Sequence, residues 1–156
     1  MFKQFKIGSY RMSLSLNKVC NVDGVCSNLA DGNHILMWDF DNAQFQDVCL
    51  TLVTIQYKYR LPTIYVLESS PDNYIAYCFT SLPFPKAVSI VADTRYADWT
   101  FVKLAILRGY FTLRISKKSG HEPKLVTTIR SEYPELANVD SLRKFVRYET
   151  VVKDTV

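Results

Sequence analysis

The chain has 156 residues, of which 48% are hydrophobic and 13% aromatic, enough to bury the core of one domain without metals or disulfides. Its 5 glycines and 6 prolines, and apolar runs shorter than about 18 residues, exclude collagen-like, disordered and membrane-spanning chains. The net charge of +4 is uneven, because residues 79–156 carry 13 basic and 8 acidic side chains against 6 and 7 in residues 1–78. We therefore expect a soluble protein whose second half attracts anions.

Two features of the sequence predict a cytoplasmic location without a membrane partner. The N-terminus carries two lysines but neither the apolar segment nor the small-residue cleavage site of a secretory signal. The four cysteines are too sparse for a secreted disulfide scaffold, so free thiols are expected at Cys20, Cys26, Cys49 and Cys78.

The N-terminal part of the chain predicts strands and a loop. Alternating apolar and polar side chains at 5–7 and 10–16 favour strands or a hairpin. Residues 17–33 are rich in Asn, Asp and Gly and are expected to form a long loop. The apolar run 35–40 follows these turn residues and predicts a buried strand.

A helix and a hairpin are expected next. Apolar residues recur at the helical period over 45–59, with Asp41 or Asn42 as the candidate cap. The segments 63–67 and 74–79 are rich in β-forming residues and flank a turn-forming stretch, which predicts two paired strands.

The second half of the chain predicts helices before strands. Helical stretches at 86–91 and 97–107 are separated by a break, and a glycine ends the second. Strands are predicted at 110–116 and 124–130, where apolar and polar residues alternate or β-forming residues are enriched. A C-terminal helix is expected over 139–148.

The element order over 35–116 is therefore β-α-β-β-α-β, which predicts an α+β fold of the split βαβ kind found in ferredoxin-like and RNA-recognition domains. Its sheet would be antiparallel, with N-terminal strands and a C-terminal helix added. We expect one domain over residues 1–156 with a core at about 34–118.

Two acidic residues lie two positions apart at the end of the first core strand. Strand alternation places Asp39 and Asp41 on one face with Met37, and it places the other apolar residues on the opposite face, namely Leu36, Trp38 and Phe40. Neighbouring carboxylates repel each other unless a cation lies between them, and Mg²⁺ or Mn²⁺ is the hard cation that oxygen ligands favour. In the alternative interpretation, Asp41 caps the following helix and Asp39 pairs with a basic neighbour.

A basic region is expected opposite these carboxylates. In the split arrangement the first and last strands are neighbours, so Arg114 would stand beside Asp39 and Asp41. A cation held by carboxylates and a fixed guanidinium are what phosphoryl or nucleotidyl transfer requires, although a simple Arg114–Asp39 salt bridge is an alternative. The surrounding basic residues predict binding of DNA or RNA, and they are Arg108, Lys117, Lys118, Lys124 and Arg130.

Three short motifs resemble those of archaeo-eukaryotic primases and primase-polymerases. Residues 38–42 resemble the hydrophobic-Asp-hydrophobic-Asp motif at a strand end, and residues 68–74 resemble the motif of a strand, a small-residue turn and a returning strand. Residues 110–117 resemble the late strand whose basic residue faces the nucleotide in small plasmid and viral members. The resemblance spans about residues 34–118.

The resemblance implies a set of site residues. They are Asp39 and Asp41 for the catalytic metals, Asp93 or Asp98 for a third carboxylate, Ser69 or Ser70 for the triphosphate, and Arg114 with Lys117 for phosphates or template. One departure is clear, because the family's histidine on the strand after the serine turn corresponds to Ile75, which offers no donor to a phosphate. Either Tyr77, Asn73 or a distant histidine replaces it, or polymerase activity has been lost.

The first hypothesis is a primase-polymerase-like domain that binds nucleoside triphosphates and a DNA or RNA template. If active, it joins nucleotides by two-metal transfer during replication of a virus or mobile element, in the host cytoplasm when viral. The second hypothesis is a catalytically inactive module that binds nucleic acid or a replication protein, with bases stacking on Tyr74, Tyr77, Tyr110 or Phe111 where these are exposed. The third is a metal-dependent nuclease, which would need Glu68 as a further carboxylate.

Overall fold

A computed structural model describes residues 2–15, 19–117, 120–138, 140, 142 and 145–151. Helices and antiparallel sheets are combined, which confirms the α+β class. No helix in these described ranges is long and apolar enough to cross a membrane. The elements in chain order are β1 (Phe2–Ile7), β2 (Tyr10–Ser15), β3 (Val19–Cys26), β4 (His34–Phe40), α1 (Phe45–Tyr59), β5 (Ile64–Ser70), β6 (Asn73–Leu82), α2 (Phe84–Ala92), α3 (Trp99–Arg108), β7 (Thr112–Arg114), β8 (Lys124–Ile129) and β9 (Phe145–Val151).

The main sheet has four antiparallel strands in the order β4-β6-β5-β8. The residues from Ile35 to Trp38 are fully buried on both faces of β4, which explains why this strand is a continuous apolar run. The Trp38 indole N–H donates to Thr94 Oγ at 2.8 Å, and the Thr94 hydroxyl donates to the Ile90 carbonyl oxygen at 2.9 Å. These bonds fasten β4 to the end of α2.

A second sheet has three strands in the order β7-β3-β9, and it corrects two predictions. Residues 17–33 do not form one long loop, because β3 pairs on both sides. The C-terminal helix is wrong over 145–148, because these residues belong to β9 and pair with β3. Each strand obtains its hydrogen bonds from a distant part of the chain. Strand pairing therefore outweighs the local preference of β3 for a loop and the local signals that predicted a helix at β9.

The specific split β-α-β-β-α-β sheet is not confirmed. β7 pairs with β3 through residues 112–114 instead of lying hydrogen-bonded beside β4, so β4 is an edge strand of the main sheet. β7 nevertheless contacts β4. The two sheets therefore approach each other at β4 and β7.

Helices α1, α2 and α3 lie within two residues of their predicted positions, but the predicted cap of the first is wrong. The predicted break separates α2 from α3, and Gly109 ends α3 in the left-handed region at φ 80°. α1 begins at Phe45 with Gln44 as its N-cap, so neither Asp41 nor Asn42 caps it. The residues between β4 and α1 instead form a corner, and Asp41 lies in this corner without capping the helix.

Phe111 joins the second sheet to the helices. Its ring is fully buried and stacks on Phe101 of α3 with a centroid distance of 5.2 Å, while Phe84 of α2 lies at 5.8 Å. Its N–H donates to the buried Ser27 Oγ at 3.0 Å. Ser27 Oγ also lies 2.8 Å from His34 Nδ1. The Ser27 hydroxyl therefore connects the Phe111 backbone to the His34 ring, as donor or acceptor to Nδ1 according to the tautomer of the imidazole.

This arrangement predicts a loss of stability at acidic pH. Burial lowers the pKa of His34 from its ordinary value near 6.5, with the Asp31 charge opposing the effect. The unfolded chain therefore binds a proton more readily, so the stabilisation is complete above about pH 6.5 and is lost as the pH falls through the lowered pKa. Urea unfolding at pH 7.5 and pH 5 should show a smaller pH-dependent loss in His34→Gln than in the native chain. Equal losses in both proteins would contradict this assignment.

Candidate functional site

A cavity of about 630 Å³ lies between the main sheet and the second sheet, a size suited to a small-molecule ligand. It is lined by residues from β3, β4, β5, β6, β7 and the end of α3. The charged and hydroxyl side chains that line it are Asp39, Asp41, Arg108, Arg114, Ser69, Tyr110, Thr112 and Ser116. Opposite charges thus meet across one concave surface.

The acidic wall comes from the end of β4. Asp39 is half-buried on β4 and stands directly opposite Ile75 of β6, and its carbonyl oxygen accepts the Asp98 N–H at 2.7 Å. Asp41 follows the strand and is exposed. Both carboxylates line the cavity, as strand alternation predicts. Two carboxylates that line one cavity could hold a cation together.

Asn73 fixes the turn that brings Ser69 beside these carboxylates. Its side-chain Oδ1 accepts the Asn42 N–H at 3.1 Å, and its Nδ2 donates to Ser70 Oγ at 2.9 Å and to the Pro71 carbonyl oxygen at 2.8 Å. Ser69 Oγ donates to the Asn73 carbonyl oxygen at 3.2 Å. Of the two predicted serines, Ser69 therefore lines the cavity, while Ser70 holds Asn73. Asn73 acts on the structure of the turn and does not take the place of the family's histidine.

The basic wall comes from β7 and α3. The Arg114 guanidinium donates from Nε to Ser116 Oγ at 3.2 Å and from Nη2 to the Lys117 carbonyl oxygen at 2.6 Å. Ser116 Oγ also accepts the Asp23 N–H at 3.1 Å, which connects the guanidinium to β3. Arg108 reaches the cavity from the last turn of α3. Both guanidinium groups are permanently charged and suit bidentate recognition of phosphate.

No protein-family model, curated protein or solved structure matches the chain. The three short motifs therefore remain a resemblance, and the residues that line the cavity are the basis for a proposed function.

Neither candidate for a third carboxylate lines the cavity. Asp98 is the N-cap of α3, where its oxygens accept the N–H groups of Thr100 at 2.8 Å and Phe101 at 3.0 Å. This capping role explains an acidic residue at that position without catalysis.

Asp93 lies elsewhere on the surface. Its carboxylate accepts from Lys58 Nζ at 2.6 Å and from the Tyr59 hydroxyl at 2.8 Å. These two hydrogen bonds lower the pKa of Asp93, with the Lys58 bond the stronger cause. The carboxylate is thus satisfied by α1 and is placed away from the cavity.

Several predicted basic residues also lie outside the cavity lining. Lys117 contributes its carbonyl oxygen to Arg114, but its exposed ammonium lies 3.4 Å from the Glu122 carboxylate. Lys124 is exposed at the start of β8, opposite Glu68 of β5. Lys118 lies outside the described residues.

The donor set can be tested against the expected cation. Within the described ranges, no group of three or more His, Cys, Asp or Glu side chains could hold a metal ion. Asp39 and Asp41 alone suit Mg²⁺, which is commonly held by one or two carboxylates, with waters and substrate phosphates completing its shell. The site therefore fits a cation that arrives with a phosphate ligand better than one held by protein alone.

The cavity also contains residues that the sequence did not reveal. Val22 and Gly24 of β3 form part of its wall, although both lay in the predicted loop. A Cβ added to Gly24 would lie 3.0 Å from the Leu113 carbonyl oxygen and 3.3 Å from Thr112 Cγ2, so a side chain here would press on β7. The glycine is explained by this close approach of two strands and not by a turn.

Two of the four aromatic residues expected to stack bases are buried. Phe111 and Tyr74 lie in the core. Burial, with a smaller contribution from the Asp39 charge, raises the pKa of Tyr77. Tyr77 is not part of the cavity lining, so its hydroxyl does not replace the family's histidine. Tyr110 alone of the four lines the cavity and is half-buried.

Proposed function

We propose that the cavity binds a nucleoside triphosphate together with Mg²⁺ or Mn²⁺, as the nucleotide site of a primase-polymerase-like domain that acts on nucleic acid in the cytoplasm. The observation that carries this proposal is one cavity lined by Asp39, Asp41, Ser69, Arg108 and Arg114. These side chains come from four separate elements and the β4–α1 corner. Their convergence supports a ligand with both a strongly anionic part and a bound cation.

The chemistry of a triphosphate fits the two walls. Arg108 and Arg114 supply planar donors to phosphate oxygens, and Ser69 supplies a hydroxyl. Asp39 and Asp41 would hold the cation, which when bound neutralises charge on the phosphates. The chain's own residues contribute mainly by orienting the ligand, which is the largest part of the protein's work in nucleotidyl transfer.

A second candidate function is nucleotide or nucleic-acid binding without catalysis, including docking to a replication protein. One observation favours it, because the apolar Ile75 lines the cavity directly opposite Asp39, where a polar residue would be needed to touch a phosphate. The nuclease hypothesis has less support. Glu68, the carboxylate that it requires, lies outside the cavity lining.

The test is calorimetric titration of a nucleoside triphosphate with MnCl₂ into the native protein and three variants. Asp39→Asn and Asp41→Asn keep the shape of the side chain but remove its charge, and each should weaken binding about tenfold or more. Asp72→Asn is the matched control. Asp72 is exposed in the nearby turn at φ 58°, a conformation that asparagine adopts readily, and this variant should bind like the native protein.

A primer-extension assay then separates the two candidates. Extension of a primed template by the native protein, lost in Asp41→Asn, would support polymerase activity. Binding without extension would support the inactive module. A native protein that binds no triphosphate in the presence of Mn²⁺ would overturn the nucleotide site in both candidates.

A further inference from the structure

One side of α3 and the turn before it presents exposed aromatic rings paired with basic groups. Trp99 is 54% exposed, and the Lys103 ammonium lies 5.9 Å from the centroid of its indole. Tyr96 is 43% exposed, and the Arg95 guanidinium lies 4.7 Å from the centroid of its ring. We call these residues, together with Leu107, the α3 surface.

The helical period places three of these side chains in one row. Phe101, Val102 and Ala105 are the buried face of α3. Trp99, Lys103 and Leu107 follow one another at intervals of four residues and form a row on the opposite, exposed face. Leu107 is 82% exposed. An aromatic ring, a cation and an aliphatic side chain thus line up along the helix.

The positive charge of the α3 surface favours the binding of a polyanion. Arg95 and Lys103 are exposed. The acidic residue of the same segment, Asp98, directs its oxygens to the backbone N–H groups that begin the helix. Asp93, just before the segment, is bound by Lys58 and by a tyrosine. A phosphate chain approaching the rings would therefore meet the cations while the neighbouring carboxylates are already engaged.

The backbone of Tyr96 is a further feature of this segment. Its backbone lies in the left-handed region at φ 67°, which costs about 1–3 kcal/mol for a bulky residue with a Cβ. Glycine would occupy the position without that cost. A strained backbone that presents an exposed ring is consistent with a binding role for the ring.

Each end of α3 is connected to a residue of the cavity lining. At the N-terminal end, the Asp98 N–H donates to the Asp39 carbonyl oxygen at 2.7 Å. At the C-terminal end, Arg108 lines the cavity itself. α3 therefore contacts β4 at its start and reaches the cavity at its last residue.

We infer that the α3 surface binds single-stranded nucleic acid, with bases stacking on Trp99 and Tyr96 and phosphates meeting Arg95 and Lys103. Stacking on an exposed ring beside a cation accepts any base, so the surface would bind strands with little sequence preference. The inference rests on the proposed function, for which this strand is the template beside the nucleotide site. It goes further by assigning the strand a surface outside the cavity.

The test measures fluorescence anisotropy of a labelled oligothymidylate of about 20 nucleotides with the full chain. Trp99→Ala should weaken binding about five- to a hundredfold. Tyr96→Gly should also weaken it, and because this change relieves the backbone, the variant should unfold at the same or a higher urea concentration than the native protein. Lys103→Gln should reduce the slope of log affinity against log salt by about 0.7.

Tyr57→Ala on α1 is the matched aromatic control. Tyr57 is 88% exposed but lies on a different helix, so its loss should leave oligonucleotide binding unchanged. Native-like binding by both Trp99→Ala and Tyr96→Gly would overturn the inference. It would also be overturned if Trp99→Ala abolished self-association of the chain in sedimentation experiments while leaving oligonucleotide binding intact, since the surface would then contact protein.

The two proposals fail in distinguishable ways. Oligonucleotide binding that depends on Trp99, in a protein that binds no triphosphate, would support the strand surface and overturn the nucleotide site. Triphosphate binding without any oligonucleotide binding would overturn the strand surface alone. Asp41→Asn should retain oligonucleotide binding at the α3 surface, because Asp41 is not one of its residues.

Discussion

Replacing Arg114 with glutamine is expected to weaken triphosphate binding about 10- to 100-fold, the usual range for losing a charged hydrogen-bonding group. The guanidinium is held in the cavity by Ser116 Oγ and by the Lys117 carbonyl oxygen. Its position is therefore set before a ligand arrives, and little side-chain entropy should be lost on binding. Isothermal titration with the triphosphate and MnCl₂ measures the change.

Two further variants define the cause of this effect. Arg114→Lys keeps the charge but loses the planar fork, so it should recover only part of the affinity. Arg11→Gln removes an exposed arginine from β2, which contributes no residue to the cavity lining, and should bind like the native protein. Equal affinities for the native protein and Arg114→Gln would show that the basic wall does not contact phosphate.

Trp38→Ala is expected to lower the free energy of unfolding by about 3–5 kcal/mol, the largest single effect on stability that we predict. Trp38 is fully buried in the edge strand of the main sheet, and its indole N–H donates to Thr94 Oγ. Truncation removes a large apolar surface, leaves a cavity and breaks the connection to α2. Urea unfolding followed by circular dichroism measures the loss.

The hydrogen bond can be separated from the packing. Thr94→Val keeps the volume but leaves the indole N–H without its acceptor, which should cost about 1–3 kcal/mol. Thr94→Ser keeps the hydroxyl and should cost less than Thr94→Val. A loss below about 1 kcal/mol in Trp38→Ala would contradict the central place of this ring in the core.

The elements that the sequence predicts well depend on local signals. The apolar run of β4, the β5–β6 hairpin around its turn and the break between α2 and α3 all follow from residues close together in the chain. β3 and β9 could not be predicted in this way. Each pairs with a segment far away, and the Gly24 that resembles a turn residue is needed because Leu113 approaches so closely.

The sequence brought part of the cavity lining together, although by partly incorrect geometry. Alternation along β4 placed Asp39 and Asp41 on one face, and both line the cavity. Arg114 was expected beside them through a hydrogen-bonded pair of strands, but it reaches the cavity on β7, which pairs with β3. Asp98 carried a signal that the resemblance obscured, because an acidic residue immediately before a helix is a common N-cap.

The position of β3 between β7 and β9 connects residues 145–151 to the cavity, although these residues do not line it. Val22 and Gly24 form part of the cavity wall, and their strand is paired with residues 145–151 over most of its length. A premature stop or a proteolytic cut before residue 145 would retain every acidic and basic residue that lines the cavity. It would still remove β9, which pairs with the β3 wall of the cavity. Loss of residues 145–151 should therefore weaken ligand binding at a site formed by other parts of the sequence.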